Sequence, residues 1–306
     1  MNMNTKNIRF RSNRVNDILS LYHEELDALY GAGEVRVFLD MLFEDFLGWD
    51  KVRLLTSREQ TVDQSDLLRF HWALEDLRKQ RPIQHIVGHA DFCGCRIAVS
   101  PDVLIPRPET EELVNSIIKK FSIFNFQFSI LDLCTGSGCI AIALKKAFPE
   151  AAVTAVDISE KALALARQNA QSNATEVNFV HADLLSEIFN FQFSIFNLII
   201  SNPPYVRESE RARMRPNVLD YDPALALFVP DDDPLKFYRA IAAIAAKHLA
   251  PGGLLAVEIN EALADETCGL LREQGFSPEV HIDFRGKKRW VTAKYNQKLK
   301  IKNFVM

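Results

Sequence analysis

The chain has no apolar run approaching the ~18 residues needed to span a bilayer. Its first 14 residues are polar and basic, without the apolar core of a secretory signal. Those absences predict a soluble protein of the cytoplasm. Cysteine is sparse and odd in number, five in 306 residues, so reduced thiols are expected instead of a disulfide framework. A broad positive surface is also lacking. The net charge of −4 argues against a protein that grips bare nucleic acid through charge, and none is expected to be required. A metal knuckle is missing as well: His85, His89, Cys93 and Cys95 are ligand types, but one residue separates the two cysteines where a knuckle has about two to four. Residues 92–99 read instead as a hairpin strand with Gly94 near its bend, and no metal is expected. What the chain does have is apolar substance, 48% of its residues, ample for a buried core in one large domain or two.

From 15 to 81 the pattern is helical and strand signals are absent. Ile18, Leu19, Tyr22, Leu26 and Leu29 recur at steps of three and four, as do Val37, Leu39, Leu42, Phe43, Phe46 and Leu47. Ser65-Asp66 opens a further helix carrying Leu67, Leu68, Trp72, Leu74 and Leu77, which Pro82 ends. The reading is a helical domain over 1–81, a β-rich connector over 82–105, a larger domain over 106–296 and a tail over 297–306. The larger domain opens with a Pro-rich lead into a helix through Val114 and Ile118. Strands are then expected at 130–133, 152–156, 177–180, 196–200, 254–259 and 289–293, with helices at 139–148, 160–172 and 235–249. Such alternation is the mark of an α/β protein, a mostly parallel sheet with helices on both faces, whose ligands bind at the carboxyl ends of the strands.

Two motifs lie at such ends. Leu131-Asp132-Leu133-Cys134-Thr135-Gly136-Ser137-Gly138 is a strand running into a glycine turn that opens a helix. The glycines permit close backbone approach, and the helix N-terminus favours a carboxylate or phosphate. Asp157 ends the next strand, nineteen residues after Gly138, where a carboxylate can accept from both hydroxyls of a ribose. Asp183 ends the third and can meet the exocyclic amine of an adenine or cap a helix. These features suit both a nicotinamide dehydrogenase and an S-adenosylmethionine methyltransferase.

Asn202-Pro203-Pro204-Tyr205, directly after the apolar run Leu198-Ile199-Ile200, separates the two. A planar nitrogen about to accept a methyl group needs its N–H hydrogens held so that its lone pair meets the electrophile. The Asn202 side-chain oxygen can accept one and the Pro203 carbonyl the other, while consecutive prolines fix φ and remove competing donors. Tyr205 adds a flat face for a planar amide or base. Hydride transfer has no use for such a clamp, and the absence of a strong base fits methylation, since an N-methylated amide cation sheds its proton readily.

With these residues in hand, the chain resembles the HemK/PrmC family, the peptide chain release factor glutamine N5-methyltransferases. The signatures that carry the resemblance run in order: Pro82-Ile83-Gln84-His85-Ile86-Val87-Gly88, Leu104-Ile105-Pro106-Arg107-Pro108-Glu109-Thr110-Glu111-Glu112, the turn from Asp132 to Gly138, Ala155-Val156-Asp157-Ile158-Ser159, Ser201 to Tyr205, Phe237-Tyr238 and Pro251-Gly252-Gly253. The resemblance implies a Rossmann-like class I S-adenosylmethionine methyltransferase domain with a seven-stranded sheet, a small N-terminal helical domain that docks the release factor, and a β-hairpin connector. It also implies methyl transfer from S-adenosyl-L-methionine to the glutamine of a Gly-Gly-Gln loop, by a monomer. Carried over by position, Cys134, Thr135, Gly136, Ser137, Gly138 and Asp157 line the cofactor. Asp183 and Leu184 flank its adenine, Arg107 and Glu109 close over it, and Asn202, Pro203, Pro204 and Tyr205 hold the substrate glutamine. Asn202, Pro203 and Tyr205 are the expected catalytic set. The family's sister activities, on a ribosomal-protein glutamine or a nucleic-acid adenine, stand as alternatives, the latter because the same clamp can orient an amine on a flipped base. The chain departs from the family pattern at Cys134, where glycine is common, at Glu258-Ile259-Asn260 in place of Glu-x-Gly, and at His85, where tyrosine is frequent.

The resemblance leaves one feature unexplained. Residues 123–130 and 188–195 are the same octapeptide, Ile-Phe-Asn-Phe-Gln-Phe-Ser-Ile, alternating with period two just before two core strands. The copies are expected either to pair as a structural lip on the sheet, opposite the active site, or to be separate loop insertions.

Overall fold

The structure, a computed structural model, describes residues 10–121, 128–186 and 195–295. It divides into two compact units, one formed by Met1–Gly88 with Pro216–Tyr221 and the other by His89–Arg215 with Asp222–Met306.

The first unit contains helices α1 (Val15–Tyr30), α2 (Ala32–Leu47), α3 (Lys51–Thr56), α4 (Gln64–Arg78) and α5 (Ile83–Val87). Residues three and four apart converge on one core: Ile18, Tyr22 and Leu26 of α1, Leu39, Leu42 and Phe43 of α2, Phe70, Leu74 and Leu77 of α4. Buried phenols find partners, the Tyr22 hydroxyl donating to the Phe70 carbonyl at 2.7 Å. Asp50 and Asp63 cap α3 and α4 by accepting the backbone N–H groups of Arg53 and Asp66. Leu29, Val37, Leu68 and Trp72 belong to the apolar pattern yet lie exposed, because that stripe is wider than the face the neighbouring helices cover. The connector expected to be β-rich from residue 82 begins instead with α5, which Gly88 ends in the left-handed conformation at φ 83°. A short apolar run is ambiguous between helix and strand, and flanking Pro82 and Gly88 decide for a helical turn.

In the second unit β1 (His89–Phe92) and β2 (Cys95–Ala98) form the antiparallel hairpin. There follow α6 (Pro108–Phe121), β3 (Ser129–Leu133), α7 (Cys139–Ala147), β4 (Ala152–Asp157), α8 (Glu160–Ser172), β5 (Asn178–His181), β6 (Phe196–Ser201) and β7 (Val206–Arg207). Next come α9 (Pro216–Leu219), which belongs to the first unit, then α10 (Ala224–Leu227), β8 (Phe228–Val229), α11 (Lys236–His248), β9 (Leu249–Glu258), α12 (Ala264–Glu273), β10 (Phe276–Ile282) and β11 (Lys288–Tyr295). The seven-stranded sheet has the order β10-β11-β9-β6-β3-β4-β5. All pairings from β9 to β5 are parallel, and β11 runs antiparallel to both its neighbours.

Its central strands read as continuous apolar runs because both faces are covered. Leu198 and Ile200 of β6 enter one cluster with Ile130 and α7, while the intervening Ile199 enters the other with Leu131 and α11. Strand β10 and helix α12 had no expectation from sequence. Pro278 and a mixed pattern obscure β10, and both are tolerated because it is the sheet's edge. The pairing expected of the duplicated octapeptide lies outside the described residues, which include only Phe128 to Ile130 of the first copy and Ile195 of the second. Phe128 is buried against Phe121 and Phe148, and Ile195 is exposed.

Candidate active site

Register sets the site. Leu133 of β3 pairs with Val156 of β4 on one side and Ser201 of β6 on the other, and Ser201 pairs with Val257 of β9. The residues immediately following, Cys134, Asp157, Asn202 and Glu258, therefore emerge at one level, at the carboxyl ends of adjacent strands. Chain order reverses between β3 and β6, and crevices form at such reversals.

The turn after β3 is built from left-handed residues, Cys134 at φ 61°, Gly136 at 54° and Gly138 at 81°. A non-glycine residue in this region is strained by its own Cβ, so Cys134 carries a cost that a glycine would not. Hydrogen bonds hold the turn: the Thr135 N–H donates to the Val156 carbonyl at 3.0 Å and its hydroxyl to Asp132 Oδ2 at 2.6 Å. Burial pushes the Asp132 carboxyl up to about 7, a rise that the Thr135 hydroxyl moderates. Asn169 of α8 braces the turn from below, donating to the carbonyls of Ser137 and Ala98 and accepting the Ala98 N–H. Asp157 accepts the Gly136 N–H on one oxygen at 2.8 Å and the Ser159 N–H on the other at 2.9 Å. Burial raises its carboxyl, while these N–H groups favour the charged form. Each oxygen keeps lone-pair capacity for a further donor.

Above the turn lies a cavity of about 400 Å³. Cys134, Thr135, Gly136 and Ser137 form its floor, and Asp157, Asp183 and Leu184 one wall. Arg107, Asn202 and Pro204 border it too, as does Phe237. Four expected residues do not. Gly138 lies beneath the cavity as the N-cap of α7, where an added Cβ would meet Ala166 Cβ at 3.0 Å. Pro203 is buried, and the half-buried Tyr205 ring packs into the core cluster of α11 and β9. Glu109 likewise is absent from the walls and faces Arg285 at 3.4 Å. Arg107 is ion-paired to the buried Asp222, a partner with no signal in sequence.

Sequence reasoning also missed a polar chain behind the clamp. Asn202 Nδ2 donates to Thr110 Oγ1 at 3.0 Å, and the Thr110 hydroxyl donates to Glu258 Oε2 at 2.6 Å. The Tyr205 hydroxyl donates to Glu258 Oε1 at 2.8 Å. Thr110 is buried in the first turn of α6 and Glu258 is buried at the end of β9. A carboxylate closing an apolar strand is the signal that could have found it. His85 belongs to the first unit, while His89, Cys93 and Cys95 belong to the second. No group of three His, Cys, Asp or Glu side chains suited to a metal occurs among the described residues.

The donor set fits a nucleoside-containing sulfonium cofactor. Asp157 has free acceptor capacity for vicinal hydroxyls, the turn backbone and the α7 N-terminus suit a carboxylate, and the walls are mostly apolar. Sheet order, turn and crevice together define a Rossmann-like class I methyltransferase.

Residues 23–88 match the PrmC N-terminal domain and residues 110–218 the methyltransferase small domain. The release factor glutamine methyltransferase of Bacteroides thetaiotaomicron is 40% identical over 280 residues, 91% of this chain and 99% of that protein. That of Flavobacterium psychrophilum is 41% identical over 278 residues, covering 89% and 96%. A solved structure of the release factor-specific protein-(glutamine-N5) methyltransferase of Alicyclobacillus acidocaldarius is 30% identical, covering 65% of this chain and 99% of that one with a TM-score of 0.40. The chain belongs to the release factor glutamine methyltransferase family. No helix among the described residues is long and apolar enough to cross a membrane.

Proposed function

We propose that this protein methylates the side-chain amide nitrogen of the glutamine in the Gly-Gly-Gln loop of peptide chain release factors, in the cytoplasm, with S-adenosyl-L-methionine as donor. The observation that carries the reading is Asn202, which borders the cavity at the end of β6, level with the glycine turn and Asp157. The cofactor supplies an electrophilic methyl group on a sulfonium. Asp157 accepts the ribose hydroxyls, Asp183 and Leu184 flank the adenine, and the turn from Cys134 to Gly138 with the α7 N-terminus receives the amino-acid end. Arg107, ion-paired to Asp222, closes the rim. Asn202 Oδ1 and the Pro203 carbonyl accept the two amide hydrogens of the substrate glutamine, which aims the nitrogen lone pair into the cavity. Pro203 and Pro204 hold that backbone carbonyl in place by fixing φ. The Tyr205 ring, half-buried, supports the clamp from behind. Orientation does most of the work, so no strong base is required. The helical first unit docks the release factor.

The test is radiolabelled methyl transfer from S-adenosylmethionine to purified release factor, ribosomal subunits and DNA in parallel. Label is expected on the release factor and is expected to vanish when the loop glutamine is replaced. Label confined to ribosomal subunits or DNA would overturn the reading.

A further inference from the structure

We propose that Glu258 and Thr110 are positioning residues for Asn202: the buried carboxylate, acting through the Thr110 hydroxyl, decides which end of the Asn202 amide faces the cavity. The inference rests on the reading of Asn202 as the acceptor for the substrate amide.

An ionised carboxylate can only accept, and a threonine hydroxyl carries one hydrogen with two lone pairs. Thr110 spends its hydrogen on Glu258 Oε2 at 2.6 Å. It then has only lone pairs for Asn202, so Asn202 must present its NH₂, and Nδ2 does lie 3.0 Å from Thr110 Oγ1. Oδ1 is thereby left as the group available to a substrate N–H. Tyr205, the last residue of the clamp, uses its only hydrogen on the other Glu258 oxygen at 2.8 Å. One buried carboxylate therefore holds both ends of the motif, with its two oxygens assigned to different partners.

Protonation of Glu258 reverses the logic. A carboxylic acid can donate to Thr110, whose hydrogen is then free for Asn202, and the amide is satisfied with Oδ1 turned inward and NH₂ turned to the cavity. Two donors would then oppose the donors of the substrate amide. The groups facing Glu258 come from four elements. Thr110 and Glu109 lie on α6, Tyr205 follows β6, and Arg289 lies on β11. Tyr238 of α11 donates to the Glu258 backbone carbonyl at 3.2 Å. Burial raises the carboxyl and Glu109 adds to the rise, against the hydrogen bonds of Thr110 and Tyr205 and the charge of Arg289. The methyl-transfer rate is accordingly expected to fall with acid at a pH above the ordinary carboxylate range.

The experiment compares Thr110→Val, Thr110→Ser and Glu258→Gln in the full chain with the purified release factor as substrate. Thr110→Val removes the relay at nearly constant volume and is expected to lower kcat by about tenfold to a hundredfold, while Thr110→Ser restores most of it. Glu258→Gln, which cannot ionise, is expected to turn over slowly and without the acid limb of the wild-type profile. A second readout needs neither substrate nor turnover: the side-chain amide resonance of Asn202, assigned against Asn202→Ala, should shift as wild type is acidified and stay fixed in Glu258→Gln. A wild-type kcat in Thr110→Val, or an Asn202 resonance indifferent to both pH and Thr110→Val, would overturn the proposal while leaving release-factor methylation intact. Absence of methyl transfer by the wild-type protein would instead remove the functional reading, and the resonance would still report on the relay.

Discussion

The backbone N–H of Gly136 donates to Asp157 Oδ2 at 2.8 Å, so the glycine turn after β3 and the carboxylate at the end of β4 form one hydrogen-bonded unit. Asp157→Ala should therefore do two things, remove an acceptor for the cofactor ribose and release the turn that receives its other end. A loss of about 2 kcal/mol in S-adenosylmethionine binding is expected, roughly thirtyfold in Kd. Isothermal calorimetry giving the wild-type affinity would remove Asp157 from the cofactor site.

Asn202→Ala should act on the other side of the reaction. Its amide is held by Thr110, and on the proposed role of orienting the substrate amide kcat is expected to fall at least ~100-fold with little change in cofactor affinity. Equilibrium binding and single-turnover methylation, measured on the same preparation, separate the two quantities. Normal turnover at saturation with weakened cofactor binding would contradict the assignment.

Gly138→Ala tests the support beneath the cavity. The position has φ 81°, and a new Cβ would lie 3.0 Å from Ala166 Cβ and 3.2 Å from Ile142 Cδ1. Left-handed strain together with the approach to α8 should cost about 2 kcal/mol of stability. Urea unfolding compares the two proteins, and a midpoint equal to wild type would show that neither the left-handed strain nor the approach to α8 is felt.

Asp132 makes a pH prediction with a definite sign. Its carboxyl is raised from 3.8 to about 7 by burial, so the fold prefers the protonated form. The corresponding stability is complete below the ordinary carboxylate range and is lost as pH rises through about 7. The loss can be no steeper than about 1.4 kcal/mol per pH unit. Asp132→Asn carries no such dependence, so its stability relative to wild type should improve from pH ~4 to ~7 and then level off. Parallel unfolding free energies across that range would refute the buried titration.

Local pattern was enough for most of the long helices and for the parallel strands of the seven-stranded sheet, because an α-helix and a doubly covered strand each impose a pattern on their own residues. Leu198-Ile199-Ile200, stopped by Asn202-Pro203-Pro204, reads as a buried strand, and Ile18, Tyr22 and Leu26 read as a helix face. The glycine turn and Asn202-Pro203-Pro204-Tyr205 were legible for the same reason, each being a contiguous run whose backbone requirements are written in its own letters. Helix α5 and strand β10 were not, since five apolar-rich residues and an edge strand carrying a proline lack a decisive period.

The sequence by itself determined the order of the sheet's parallel strands and of most of the long helices, and it singled out the glycine turn and Asn202-Pro203-Pro204-Tyr205 as candidate site residues. Tertiary structure alone decided which residues stand behind them. Thr110 lies 148 positions from Glu258 and 92 from Asn202, and Arg107 lies 115 from Asp222, yet sheet register and the docking of α6 bring each pair within hydrogen-bond distance. It also turned Tyr205 away from the cavity and into the core, with its hydroxyl on Glu258. No local pattern specifies such partners, because a side-chain hydrogen bond depends on where two distant backbones come to rest, and that position is set by the packing of the whole sheet.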